Sequence, residues 1–401
     1  MAKWKAGIAS VALGLLALLV PTTPVTAEPK KPAPEPAVAQ ECGADLKQHA
    51  AKLAATGKSG TATCVRKQAR KAKKDTTGAK IAADICGGSS TLTRTAACVI
   101  DDGIVLIFTV PNGAVIGTIE YTVSSLTTLD YSSLQWSQSW HYQANSVAGP
   151  SIPAVLDTLV YAEPECLASC TVSSSGLVGG SALPGRVHST TTHFTSPVSG
   201  YKWGARGGMK YWFANAAWVN PTTNIRTTTP AAHRCDDALP NYPKGCVYDS
   251  VRPVHDVQSS RYPEYARHLR YAITYYGMPS ILTRTQNQTI IDNNYKTACP
   301  PGYPKPTTPG TWSCDEYPYK STYNGASSQP YGRNIMIIDW NTGYGYDCGA
   351  SWLDIRGLGD SGGYSVCMIP LAENSLGGSD LGAFYYKSRV LDGDQFQVRV
   401  I

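Results

Sequence analysis

The chain has 401 residues, a formal net charge of +6 and a hydrophobic fraction of 42%, which is typical of a globular protein with two or three domains. Its 24 tyrosines and 9 tryptophans against 5 phenylalanines favour a β-rich fold with a partly wet aromatic surface. Twelve cysteines, none of them in the CxxC spacing of a zinc ribbon, indicate disulfides and argue against a thiolate metal site.

The N-terminus has the three parts of a secretory signal peptide. Lys3 and Lys5 form its charged start, residues 6–20 its apolar core, and Val25-Thr26-Ala27 a small-residue cleavage site. We therefore expect a signal peptide over 1–27 and a proline-rich linker over 28–40. Because the apolar run is short for a membrane span, the mature protein is expected to be exported, extracellular and free of the membrane. A retained membrane anchor is the alternative.

Residues 41–86 form a basic segment with the composition of a helix. Between residues 43 and 85, ten lysines and arginines stand against three aspartates. Any attraction to a polyanion is concentrated here, and the basic side chains involved are Arg66, Lys67, Arg70, Lys71, Lys73 and Lys74. A solvated, charged helix and a nucleic-acid contact both fit this pattern.

Residues 87–232 have the pattern of an all-β domain of unknown role. The stretches 103–110, 114–123 and 133–145 are rich in β-branched and aromatic residues, and several alternate apolar with polar. Clusters of Gly, Ser and Thr between them mark turns. No chemical signature is present in this part of the chain.

The cysteines divide evenly along the chain, six in each half. Spacing alone does not fix their connectivity. We predict nearest-neighbour pairing and two independently bridged halves. The first half carries Cys42, Cys64, Cys86, Cys98, Cys166 and Cys170, and the second carries Cys235, Cys246, Cys299, Cys314, Cys348 and Cys367.

The last part of the chain, residues 233–401, alternates helix and strand patterns. Pro263 to Tyr276 is predicted to be a helix, since proline suits a first turn and apolar residues recur on one face. Strands are predicted at 334–339, 364–369 and 395–401. A helix from Ser379 to Arg389 is predicted to follow the glycine-rich loop 376–378.

The adjacent carboxylates of Asp315 and Glu316 are the most informative feature of this region. Two carboxylates in one place are costly unless a cation or a proton lies between them. The segment SRYPEYARHLRYAI at 260–273, CDEYP at 314–318 and ENSLGGSDLGAF at 373–384 resemble the NucA/NucB-type deoxyribonuclease domain of secreted bacterial nucleases. Extended members of this family from actinobacteria look closer than the compact members, and the resemblance covers roughly 233–401.

The resemblance implies an α+β protein in which a β-rich, disulfide-bonded domain precedes a ββα-metal nuclease domain. Such a domain hydrolyses DNA phosphodiester bonds endonucleolytically with one divalent cation, Mg²⁺ or Mn²⁺. Asp315 matches the general base and Asn374 the metal ligand, on a loop before the helix. Glu316 and Glu373 would hold metal-bound water or orient the base.

Two further residues of the first motif are candidates for the active site. Arg261 could pair with the scissile phosphate or could brace the helix. His268 is either an active-site group or a histidine that packs and hydrogen-bonds within the helix. One position departs from the compact family members: Phe384 stands where they carry polar side chains, so a contact from that turn is missing unless Asp380 replaces it.

Two other functions compete with the nuclease. A nucleic-acid-binding or toxin-like module could keep the fold without the activity. Gly359-Asp360-Ser361-Gly362-Gly363 is the nucleophile sequence of trypsin-like serine proteases, and its mechanism would need His233 and an aspartate such as Asp339. Arg234, however, separates His233 from Cys235, whereas that family has the two adjacent. DNA is the expected partner, and an inhibitor protein is possible.

Overall fold

The computed structural model describes residues 42, 45–69, 85–149, 152–173, 178–198, 202–304, 311–338, 345–356 and 361–401. These residues form a mixed but strand-rich structure, and they fall in a single compact unit. The predicted signal peptide (1–27) and linker (28–40) lie outside the described residues, as do Arg70, Lys71, Lys73 and Lys74.

Long strands dominate the first half. In chain order its elements are α1 (Leu46–Ala55), β1 (Gly60–Lys67), β2 (Thr91–Leu92), β3 (Ala96–Val110), β4 (Val115–Asp130), β5 (Ser133–Ala148), α2 (Pro153–Leu156), β6 (Leu159–Ala168), β7 (Thr171–Val172), β8 (Val178–Ser181), β9 (Val187–Thr195), β10 (Lys202–Ala214), β11 (Arg226–Thr228), β12 (His233–Asp236) and β13 (Gly245–Val247). The strands predicted at 103–110, 114–123 and 133–145 are confirmed within β3, β4 and β5.

Two antiparallel sheets share the core of this half. One has the strand order β1-β3-β4-β5-β9-β7, and the other has the order β13-β12-β10-β6-β8. Alternate residues of β5 are buried, because successive side chains of a strand point to opposite faces. Tyr121, Trp140 and Tyr142 of the first sheet pack against Tyr211 and Phe213 of the second.

The described part of the basic segment is helical over Leu46–Ala55 only, whereas the prediction made the segment helical throughout. Helix α1 begins after Asp45, whose carboxylate accepts hydrogen bonds from the backbone N–H groups of Lys47 and Gln48. Residues Gly60–Lys67 instead form β1, and every residue of β1 pairs with a residue of β3. Pairing and burial on both faces outweigh the helix propensity of the segment.

The predicted domain boundary at residue 233 lies inside a sheet. Strand β12 pairs with β10, and β13 pairs with β12, so residues 233–247 extend the second sheet of the first half. Backbone pairing shows that this stretch belongs structurally to the β-rich half.

The second half combines three helices with two smaller sheets. Its elements are β14 (Val254–Val257), α3 (Pro263–Arg270), a π-helical turn (Tyr271–Tyr275), β15 (Ile281–Thr283), α4 (Gln288–Ala298), β16 (Trp312–Tyr317), a 3₁₀ turn (Ala326–Ser328), β17 (Gly332–Ile338), β18 (Gly345–Asp347), β19 (Ile355–Arg356), β20 (Tyr364–Pro370), α5 (Leu371–Lys387) and β21 (Gln395–Val400). The sheet orders are β14-β21-β15 and β16-β20-β17-β18. The predicted helix at 263–276 and the strands at 334–339, 364–369 and 395–401 are confirmed within a residue or two.

Helix α5 begins eight residues earlier than predicted, at Leu371 in place of Ser379. The predicted loop Leu376-Gly377-Gly378 is part of the helix. A Cβ atom on Gly377 would lie 2.7 Å from Tyr265 Cε1, so glycine is needed here for the close approach of α5 to α3. Glycine therefore marks a helix contact at this position, and Asn374 lies in the first turn of a helix rather than on a loop.

All six disulfides join cysteines that are nearest neighbours in the sequence, as predicted. The pairs are Cys42–Cys64, Cys86–Cys98, Cys166–Cys170, Cys235–Cys246, Cys299–Cys314 and Cys348–Cys367. Among the residues that the structure describes, no helix is both long and apolar enough to cross a membrane.

Candidate active site

Two antiparallel strands and the helix that follows them build the candidate site. Asp315 and Glu316 lie on β16, opposite Cys367 and Val366 of β20. At the end of β20 the chain turns at Pro370 directly into α5. The first turns of α5 therefore pass beside the carboxylates of β16, and they carry Asn374.

A cavity of about 600 Å³ opens between β16 and α5. Asp315, Glu316 and Asn374 all line it. Asp315 is 4% exposed and Glu316 is 9% exposed, so both carboxylates lie at the protein wall of the cavity rather than on the open surface. The structure thus brings Asn374 to the same cavity as the adjacent pair Asp315 and Glu316, which lies far from it in the sequence.

Asp315 is hydrogen-bonded to the buried side chain of His268. Its Nδ1 donates to Asp315 Oδ2 over 2.6 Å, and its Nε2 lies 2.9 Å from Ser365 Oγ. Both His268 and Ser365 are fully buried. Burial raises the pKa of Asp315, and the hydrogen bond from His268 opposes that rise. The histidine therefore acts on the carboxylate, while Asp315 itself faces the cavity.

Glu316 has the most strongly shifted carboxyl group of the site. Burial, and secondly the neighbouring charge of Asp315, raise its pKa to about 8. Its Oε1 accepts one hydrogen bond, from the backbone N–H of Lys320 over 3.3 Å. When no metal ion is bound, this raised pKa favours the protonated form of Glu316 at neutral pH.

This shift predicts a pH dependence of stability in EDTA. Since the folded protein retains a proton that the unfolded chain releases near pH 4.5, the free energy of unfolding should fall as the pH rises from about 4.5 to about 8. The contribution is fully present below that window and lost above it. Glu316→Gln should flatten the slope by an amount on the order of a few kcal/mol across the window, measured by urea unfolding at several pH values. Glu163→Gln, on the half-exposed surface of β6, is the matched control, and an unchanged slope in Glu316→Gln would contradict the shift.

Asn374 is oriented by its amide nitrogen. Nδ2 donates to Ser313 Oγ over 2.9 Å and to the backbone carbonyl of Cys314 over 3.0 Å. These two hydrogen bonds tie the first turn of α5 to β16. Both use the amide nitrogen of Asn374, so the amide oxygen points away from Ser313 and Cys314. The chain thus presents an amide oxygen and two carboxylates to one cavity.

Two predicted site residues, Glu373 and Arg261, make structural contacts instead. Glu373 Oε2 accepts hydrogen bonds from the backbone N–H groups of Glu264 and Tyr265, so this carboxylate caps the N-terminus of α3. Arg261 pairs with Asp380 over 2.7 Å, and its side chain is half-exposed. The geometry supports the bracing role for Arg261 rather than a phosphate contact.

The departure at Phe384 is also explained by packing. Its ring lies 5.0 Å from His255 and 5.7 Å from Phe396, in the core beneath α5. Asp380 does not replace the missing polar group, because its Oδ2 already accepts hydrogen bonds from Arg261 and Tyr262. The side chains of Asp380 and Phe384 therefore stabilise the fold, and neither of them lines the cavity.

The residues of the proposed protease triad do not meet. His233 is 2% exposed and lies between the rings of Trp136 and Tyr248 in the β-rich half, whereas Ser361 is exposed. Within the part of the chain that the structure describes, His233 Nε2 has no hydrogen-bond partner. Asp339 lies outside the described residues.

A hydrogen-bonded series in the order of a serine protease triad occurs at Ser365, His268 and Asp315. Their burial, however, is the opposite of what a protease needs. Ser365 is fully buried and hidden from any substrate, and the aspartate is the group at the cavity.

We expect Ser361→Ala to leave nuclease activity unchanged and a fluorophosphonate probe to label neither Ser361 nor Ser365. Labelling of Ser361 in a gel assay would restore the protease hypothesis.

One grouping of metal-binding side chains among the described residues is not a metal site. Ligand atoms of His233, Cys235 and Cys246 lie within 4.8 Å of one another. The two cysteines are joined in a disulfide, so neither offers a thiolate. Burial lowers the pKa of His233 to about 4, which is the behaviour of a neutral core histidine.

The sequence motifs did not indicate several residues of the cavity wall. These are Tyr295 and Tyr303 from α4 and the loop after it, and Lys320 from the loop after β16. Tyrosine is frequent throughout the chain, so composition gave no signal for them. Only the fold places them around Asp315.

Comparison with known proteins gives no match: no protein-family model fits the chain, and no curated protein is significantly similar to it. The resemblance to the NucA/NucB-type nucleases therefore stays a prediction from the motif residues.

Proposed function

We propose that the protein is a metal-dependent endonuclease that hydrolyses DNA phosphodiester bonds, with Asp315 as general base. The observation that carries this proposal is the convergence of Asp315, Glu316 and Asn374 on one cavity, at the junction of two antiparallel strands and a helix. This order of elements fits the ββα-metal arrangement that the motifs imply.

The residues of the cavity fit a hard divalent cation such as Mg²⁺ or Mn²⁺. Asn374 presents an amide oxygen, and the buried carboxyl of Glu316 would lose its proton next to a positive charge. When bound, the cation would supply charge stabilisation to the phosphate and the departing 3′ oxygen. Glu373 is not part of this set, because it caps α3.

Asp315 is placed to accept a proton from water. His268 occupies Oδ2, which leaves Oδ1 for the attacking water molecule. Burial makes the carboxylate a stronger base, since it raises the pKa. As the water oxygen attacks phosphorus, its proton passes to Asp315 and the bond from phosphorus to the 3′ oxygen breaks. His268 fixes the rotamer of the base and stabilises its charged form.

The cysteine content and the predicted signal peptide support export to an oxidising compartment, where environmental or matrix DNA would be the substrate. Arg66 and Lys67 remain candidates for a DNA contact outside the cavity, on β1.

The proposal is tested by a plasmid-nicking assay of the purified protein. Supercoiled plasmid should be converted to nicked and linear forms with Mg²⁺ or Mn²⁺, and EDTA should abolish the conversion because the carboxylates and the amide alone do not neutralise the transition state. Cleavage that persists in EDTA would contradict the metal requirement. The absence of cleavage with any divalent cation would contradict the enzyme and leave a binding module.

A further inference from the structure

The cavity has two unlike walls. On the α5 side, Gly378 and Gly382 line it, and a Cβ atom built on either would meet nothing within 4 Å. These glycines are one helical turn apart and leave the wall next to Asn374 flat and open. Among the described residues, no side chain fills the space beside these two glycines.

On the opposite side, two tyrosines from α4 and the loop after it face the same space. Tyr295 is 41% exposed, and Lys320 Nζ lies 4.6 Å from its ring centroid. Tyr303 is half-buried and packs on Trp352, with ring centroids 4.9 Å apart. This wall offers exposed aromatic faces and one positive charge close to the buried carboxylates.

The tyrosine wall is rigid. The Cys299–Cys314 disulfide ties the end of α4 to the residue before Asp315. Asn294 Nδ2 donates to the carbonyls of Lys320 and Thr322 over 2.8 and 2.9 Å, which fixes the loop after β16 against α4. The aromatic wall and the general base are therefore held at a constant separation.

The depth of the carboxylates restricts which nucleic acid can reach them. Asp315 and Glu316 are at least nine-tenths buried, so a phosphate must enter the cavity to contact them. In a duplex, paired bases hold each phosphate on the rim of a wide, stiff cylinder. A single strand can bend, and its bases are free to stack on aromatic side chains.

We propose that this cavity is a nucleobase subsite and that the preferred substrate is single-stranded or locally unpaired DNA. This inference rests on the proposed function. The base next to the scissile phosphate stacks on Tyr295 between the tyrosine wall and the glycine face of α5. Lys320 contacts the adjoining phosphate, while the phosphodiester bond itself lies at Asp315.

Cleavage of one sequence, offered as a single strand and as a duplex, tests the substrate class. The single strand should be cut at least about tenfold more efficiently, and Tyr295→Ala should remove most of this preference by raising KM for the single strand. Tyr295→Phe, which keeps the ring, should behave as wild type. Tyr131→Ala, at an exposed tyrosine between β4 and β5, should change neither rate. Equal cleavage of both substrates, or an equal loss on both in Tyr295→Ala, would overturn the subsite.

A binding measurement separates this inference from the proposed function. Asp315→Asn protein should bind labelled (dT)₈ about tenfold more tightly than an abasic strand with the same number of phosphates. Tyr295→Ala in that background should bind the two strands equally. If the enzyme cleaves DNA but binds both strands equally, the subsite is wrong and the nuclease stands. If base-dependent binding is found without cleavage, the subsite stands and the nuclease is wrong.

Discussion

Asp315→Asn is expected to lower the rate of DNA cleavage by about 10²–10⁴-fold while leaving the fold intact. The amide keeps the shape of the carboxylate and can still accept the hydrogen bond from His268 Nδ1. It cannot accept the proton of the attacking water, so the loss should appear in kcat. The measurement is the initial rate of plasmid or oligonucleotide cleavage at saturating divalent cation.

The control for this substitution is Asp157→Asn, at an exposed aspartate just after α2. It makes the same chemical change far from the cavity and should leave the rate unchanged. Circular dichroism and the urea midpoint show whether the Asp315 variant is folded. A folded variant with activity within a few-fold of wild type would remove Asp315 from the role of base.

Much of the fold followed from local sequence signals. Alternating β-branched and aromatic residues predicted β3, β4 and β5, because such alternation reflects one buried face. Pro263 and the apolar face after it predicted α3. The disulfide pairing followed from sequence proximity, which holds here because each cysteine pair bridges neighbouring segments.

The failures came from long-range contacts that no local pattern encodes. Gly377 and Gly378 have the pattern of a loop, yet both lie in α5. Gly377 packs against Tyr265 of α3, and Gly378 lines the cavity. Residues 60–67 have a helix-like composition, but they gain more by pairing with β3. In both cases tertiary contacts override local propensity.

The candidate site was predictable only in its chemistry. Adjacent carboxylates and a distant asparagine indicated the right residue types, and the fold brings Asp315, Glu316 and Asn374 together. Glu373 and Arg261 were assigned by motif position, but each satisfies a structural need at the α3–α5 contact. A motif specifies which side chains occur together, whereas only packing decides which way each one points.

A cluster of charged side chains joins the β-rich half to the end of α5. Arg389, just after α5, is fully buried, and its guanidinium bonds to the Asp236 carboxylate of β12. Arg234 also reaches Asp236, over 3.1 Å, and pairs with Asp394 over 2.8 Å. Arg94 adds hydrogen bonds to the carbonyls of Ser388 and Arg389. This cluster fixes the C-terminal end of the helix whose first turn carries Asn374.

Asp236→Asn should therefore destabilise the protein by about 3–5 kcal/mol. The substitution removes the carboxylate that pairs with both buried arginines, Arg234 and Arg389, and an uncompensated buried charge is more costly than a lost contact. Asp237→Asn is the matched control at the next residue. Its partner Lys244 is more than half exposed, at an N···O distance of 3.3 Å, so that change should stay within about 1 kcal/mol. Urea unfolding of both variants at pH 7 measures the difference. Equal losses would show that the buried charges of this cluster do not stabilise the contact between the two halves.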